Sequence, residues 1–126
     1  MGNMSNYLEE HVLQEYLVDP NVYLALYNSD PTDEDSGNEV DGGAYERQEV
    51  TFTNPTQEGG KATIFNNGDI TFDIATSDWG EITHIGIRDA AESGNLLYHG
   101  ELDDAKVIHE GDQFKIVDSD LEINLD

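Results

Sequence analysis

Four histidines, His11, His84, His99 and His109, are the side chains best suited to proton transfer or metal binding, and their spacing argues against both. None stands in an HxxxH, HxH or HExxH arrangement, the local patterns that bring two imidazoles to one ion. His84 and His99 fall on strands predicted to be neighbours, so a two-histidine site is geometrically open there. Structural histidines at or near the surface fit the pattern better. The serines Ser29, Ser36, Ser77, Ser93 and Ser119 all sit in Asp- or Gly-rich turns, where a hydroxyl bonds its own backbone, and no GxSxG elbow occurs. With 28 Asp and Glu in the chain, proximity of two carboxylates carries no information about glycoside chemistry. The absence of cysteine removes thiolate nucleophiles, thiolate metal sites and disulfides together. The chain reads as a non-enzyme that requires no cofactor.

Binding chemistry has three candidate locations. The loop from Asp30 to Asp41 gathers Asp30, Asp33, Asp35, Glu39 and Asp41, oxygen donors that suit Ca²⁺ or Mg²⁺, although its glycine falls at the wrong offset for an EF-hand. Trp79, Tyr23 and Tyr27 are the rings available for stacking on a sugar, with core or corner packing the stronger expectation for a tryptophan beside alternating strands. Arg47 and Arg88, the two arginines, are expected to anchor carboxylate networks or contacts between subunits. Gly86 lies inside a predicted strand, where glycine is costly unless another group packs over it; the Trp79 ring is the expected occupant.

Charge sets the conditions under which any of this folds. Five Lys and Arg oppose the 28 acids, for a net charge of −23. The acids alternate with Val, Ile, Leu, Phe and Tyr and do not form a terminal block, which argues for a folded chain and against a disordered tail. Self-repulsion at this charge is severe at low ionic strength, whereas molar salt shortens the screening length to about 3 Å. The composition therefore predicts adaptation to high K⁺ or Na⁺, as in haloarchaea. It also excludes direct nucleic-acid binding, which needs clustered Lys or Arg. No apolar stretch approaches the roughly 20 residues of a membrane-spanning helix, and with no signal-peptide pattern the mature chain is expected to begin near Met1.

The elements that position these residues follow from periodicity. Leu8, Val12 and Tyr16, with Leu13 and Leu17, recur at helical steps between a Ser5 or Asn6 cap and the Asp19-Pro20 stop, predicting a helix from Asn6 to Val18. These five residues are candidates for assembly contacts, together with Arg47 and Arg88. Beyond Pro20 the period becomes two. "VYLALYN", "AYERQEVTF", "KATIF", "DITFDIA", "EITHIGIRD", "NLLYHGEL", "AKVIHEGDQFKIVD" and "DLEINLD" read as strands. "KATIF" and "DITFDIA" are expected to pair through an Asn-Gly turn, with Ile70, Phe72 and Ile74 inward. The predicted fold is mainly β: an antiparallel β-sandwich or jelly-roll-like domain of about eight short strands with one N-terminal α-helix. Residues 1–20 form the helix and lead-in, and 21–126 the body of a single domain. No repeat of the kind that builds a fibre shaft is present.

The stretches "ALYNSDPT", "GGAYERQ", "DWGEITHIGI" and "GNLLYHGEL" resemble a family of small tailed-virus proteins, from bacteriophages and haloarchaeal viruses, commonly labelled tail-fibre-like. The likeness runs from about His11 to Leu125, and the departure from phage relatives is the abundance of Asp and Glu. It implies a structural virion protein made in the host cytoplasm, whose partners are its own copies, other virion proteins and host-surface glycans or glycoproteins. An exposed knob, turret or decoration subunit on the head or tail, contributing to host attachment, is the leading expectation. A tail-tip or baseplate fibre component and a carbohydrate-binding module are the alternatives.

Overall fold

A computed structural model describes residues 2–125; Met1, the expected start, lies outside them. The chain is mainly β, with antiparallel sheets and one N-terminal helix. It forms two units interleaved in sequence: Met1–Asn21, Val50–Ile70 and Ile116–Asp126 make the first, and Val22–Glu49 and Thr71–Lys115 the second.

The first unit opens with α1 (Asn6–Leu13), which continues as a wider π-helical turn over Gln14–Val18. Ser5 caps it, its hydroxyl accepting the Leu8 N–H at 3.2 Å. Asn6, the other cap candidate, is the first residue of the helix itself, and Glu9 is turned inward. The apolar face also differs from expectation. Residues 8, 12 and 16 form one row along the helix and 9, 13 and 17 the next, and the second row is the seat: Glu9, Leu13 and Leu17 are buried, while Leu8 and Tyr16 are exposed. Two adjacent rows had read as one face.

The helix packs on β4 (Lys61–Phe65), the centre of an antiparallel sheet ordered β3-β4-β9, with β3 at Thr56–Glu58 and β9 at Glu122–Leu125. Leu13, Leu17, Phe52, Ile64, Leu121 and Ile123 fill this core. The β3–β4 hairpin turns at Gly59-Gly60, both at positive φ. The expected pairing of "KATIF" with "DITFDIA" is not formed. Asn66 instead buries its side chain, donating to the Gly68 and Val117 carbonyls and accepting the Leu121 N–H. That network carries the chain away from β4 and leaves β9 as its partner.

A sheet ordered β2-β1-β6-β7, with β1 at Val22–Tyr27, β2 at Gln48–Val50, β6 at Gly80–Arg88 and β7 at Leu96–Ile108, lies in the second unit except for Val50, the last residue of β2. β1, β6 and β7 are antiparallel neighbours, pairing Leu24 with Ile87, Leu26 with Ile85 and Gly86 with His99. Leu24, Leu26, Ile85 and Ile87 share one face of this sheet and are all buried. The short strands β5 (Ile70–Thr71) and β8 (Lys115–Ile116) each lie where the chain passes from one unit to the other. "DITFDIA" leaves the strand after Thr71: Ile70 and Phe72 are buried as expected, but Ile74 is exposed and Ala75 is buried in its place. Among the described residues no helix is long and apolar enough to cross a membrane.

Candidate functional site

The opposite face of the four-stranded sheet is where the acidic loop goes. Tyr27, Gly86, Arg88 and His99 share that face by register, and the segment after β1 folds back over them. Asn28 N–H donates to the Asn38 carbonyl and Val40 N–H to the Leu26 carbonyl, closing the loop at its base. Inside it Pro31 is buried, and the Asp30 carboxylate and Ser29 hydroxyl accept the Thr32 and Asn38 N–H groups. The glycine of this loop, Gly37, sits so close to Pro31 that a Cβ would come within 2.7 Å of its Cα.

Three basic groups pin the loop. Arg88 donates from Nη1 to Asp35 Oδ1 at 2.6 Å and to the Tyr27 hydroxyl at 3.1 Å, and from Nη2 to the Gly94 carbonyl at 2.9 Å. Arg47 grips Glu39 with both prongs, Nε to Oε2 at 2.8 Å and Nη2 to Oε1 at 2.7 Å, while Nη1 reaches the carbonyls of Ala90 and Ser93. Both arginine side chains are buried. His99 Nε2 lies 2.7 Å from Asp33 Oδ1, and its Nδ1 lies 3.9 Å from Asp30 Oδ1. The β6–β7 turn, closed by left-handed Ser93 and Gly94, thus supplies carbonyls to both guanidinium groups.

Electrostatics at this cluster follow from burial against pairing. Burial alone would push the Glu39 carboxyl up, but hydrogen bonds from Arg47 and Tyr45 and the charges of both arginines hold it below the usual range. Tyr45 is driven the other way, by burial and by its 2.6 Å hydrogen bond to Glu39. It stays a neutral donor, and its oxygen also accepts the Leu26 N–H. Tyr27 is raised by burial, more than its contact with Arg88 offsets.

The cation site expected in the loop is not assembled. Asp33, Asp35 and Glu39 go to His99, Arg88 and Arg47 respectively, Asp30 caps Thr32, and Asp41 is exposed. Among the described residues no three His, Asp or Glu side chains gather as a metal ion would require. His84 and His99 lie on the same face but not opposite each other: His84 pairs with Glu101 and bonds the Thr83 hydroxyl.

The aromatic candidates separate cleanly. Trp79 is 5 % exposed, packed edge-on against Tyr45 and Phe72, with its indole N–H on the Gly43 carbonyl at 2.9 Å. A ring held this way has no free face for a sugar. Tyr27 is buried, and only Tyr23 is partly exposed. The group packed over Gly86 is not Trp79, as expected, but Tyr27 and Leu96, both 2.8 Å from where a Cβ would stand. Of the assembly candidates, Leu13 and Leu17 belong to the first unit's core, Val12 is half-buried, and Leu8 and Tyr16 face outward.

Sequence reasoning passed over Tyr45 and His99 as anchors. Tyr45 was visible only as one member of an alternating strand, and the left-handed Ala44 beside it breaks that strand. Beside Arg47 lies an open cleft of about 560 Å³, lined by Glu39, Asp41, Tyr45, Glu46 and Glu92. Arg47, Val40 and Ala91 also line it, and the Arg47 guanidinium there is already engaged by Glu39.

The chain matches, over residues 3–124, the family model described as Podophage GP4 fiber I protein gp80. None of the curated proteins compared matches it.

Proposed function

The chain belongs to the podophage fibre family whose model spans it, and from that premise we propose that it is an exposed subunit of a tailed-virus particle working in brine. Family membership makes it a structural fibre component of a virion. The brine-adapted role is supported by where the charge sits. All described Asp and Glu except Glu9, Glu10 and Glu39 are exposed, and the densest acidic loop is stitched down by the only two arginines in the chain. An ordered acidic surface over apolar sheets is what high salt favours, since screening removes the repulsion and leaves burial to act.

In this reading the subunit is a knob, turret or decoration that contributes to attachment at the host surface, and the virus infects a haloarchaeon. Multiplicity on the particle would turn weak single contacts into firm adhesion. The family's fibre description favours a second location, the tail tip or baseplate. Immunogold labelling of purified particles tests both: label on the head or tail supports the reading and tells the locations apart. A chain missing from purified virions would overturn it.

A further inference from the structure

We propose that α1 and the β3–β4 hairpin enclose one partly dehydrated alkali-metal cation, held by the carboxylate of Glu9 and the side-chain oxygen of Gln57. The site lies within the first unit and is independent of any role on a particle.

The first observation is a pair of buried oxygens with nothing to accept. Glu9 is 3 % exposed and its Oε1 has no hydrogen-bond partner; the Oε1 of Gln57 is buried and equally without one. No ion pair among the described residues includes Glu9. An acceptor buried without a donor is unfavourable, and a carboxylate buried without a counter-charge is more so. Buried charges are accordingly paired or bound to a metal.

The second observation is that the fold brings both oxygens under α1. Gln57 Nε2 donates to Glu10 Oε2 at 2.7 Å. That bond fixes the amide, nitrogen toward Glu10 and oxygen away from it, and ties β3 to the residue next to Glu9. Gln57 pairs with Ala62 of β4, the strand on which α1 packs. Glu9 stands in the helical row that seats there, with Leu13 and Leu17.

Charge selects the ligand. Glu9 and Glu10 set two carboxylates against one neutral amide. A water molecule can donate to both orphaned oxygens but leaves both charges in place, and a proton cancels only one charge. A cation answers the oxygens and the charge together, and hard oxygen donors suit the alkali and alkaline-earth ions. Ca²⁺ takes about six to eight oxygens and Mg²⁺ sheds its water reluctantly. Two carboxylates and an amide fall short of both, and no set of three acids gathers among the described residues. A monovalent ion is the class that fits.

Rubidium substitutes for K⁺ and scatters anomalously. Crystals of the wild-type chain grown in about 2 M RbCl, where screening is short-ranged, should show an anomalous peak in contact with Glu9 Oε1 and Gln57 Oε1. A site too small for Rb⁺ declares itself in melting. NaCl, KCl and tetramethylammonium chloride at equal ionic strength screen alike, so a difference between them reports contact with the ion. Wild type should melt about 4 °C or more higher in NaCl or KCl than in the tetramethylammonium salt. Glu9→Gln should lose most of that difference, and Glu49→Gln, at an exposed position, should keep it. If Glu9→Gln unfolds, Gln57→Leu takes its place. Either the anomalous peak or the selective loss supports the site. Density without anomalous signal, or none at all, together with equal salt differences in every variant, would overturn the proposal and leave water or a proton on those oxygens.

Discussion

Arg47 and Arg88 donate to one shared acceptor, the carbonyl oxygen of Ser93, at 2.8 and 3.4 Å. Each also holds a different acid of the loop, Glu39 and Asp35, so one turn carbonyl links both ends of the acidic segment to the β6–β7 connection. Two guanidinium groups can sit this close because each carries its own carboxylate.

The two sides of the Arg88–Asp35 pair differ in burial, and that predicts an asymmetry. Asp35→Ala leaves a buried guanidinium without its counter-charge, a loss of about 3–5 kcal/mol. Arg88→Met replaces the buried partner with an apolar chain of similar length and leaves Asp35, already 38 % exposed, to water; about 1–3 kcal/mol is expected from the hydrogen bonds lost. Urea unfolding in high salt measures both. Equal losses would mean that the pair is solvated and does not anchor the loop.

Glu39 makes the same cluster sensitive to acid. Its folded pKa lies below the ordinary 4.5, so its pairing stabilises the fold fully above that value and is lost as pH falls through the lower, folded one. Wild-type thermal midpoints should therefore drop below about pH 4.5, and Glu39→Gln should flatten that part of the profile while lowering stability at neutral pH. A Glu39→Gln profile parallel to wild type throughout would assign the acid sensitivity to other carboxylates.

Much of the fold was legible because its signals are local. The period-two runs of β1, β6 and β9 and the Ser5 and Pro20 boundaries of the helix need no knowledge of distant residues. What escaped depends on long-range choice. Which helical row faces the sheet is decided by β4, not by the row itself. Asn66 is decided by Val117 and Leu121, about fifty residues away in sequence. The arginines were read correctly as carboxylate anchors because in so acidic a chain their partners were almost assured. Which acids they would take, and that His99 would hold a third, emerges only once the loop lies across the sheet.

Trp79 can be separated from sugar binding by stability. Trp79→Ala removes a ring that packs on Tyr45 and Phe72 and should cost about 3–5 kcal/mol. Trp79→Phe keeps most of the packing and removes one of the two hydrogen bonds on the Gly43 carbonyl, which Thr76 N–H still serves, for about 0.5–1.5 kcal/mol. Thermal unfolding followed by circular dichroism ranks them. A Trp79→Ala variant as stable as wild type would show that the ring is not part of the core.

Salt dependence carries the widest consequence. The exposed acids are spread over strands and loops alike, so repulsion acts on the whole chain and no single pair dominates. At about 0.1 M salt the screening length is near 10 Å, long enough for neighbouring carboxylates to feel one another, whereas at molar salt it is about 3 Å. Circular dichroism should accordingly show native β-structure in multimolar NaCl or KCl and its loss, or a much lower thermal midpoint, on dilution to about 0.1 M. The arginine-held loop, with its screened and buried partners, should be among the last parts to loosen. Amide exchange measured during the dilution would reveal that order. Full stability at the low-salt end would detach the acidic surface from any adaptation to brine, and the charge would then need another cause.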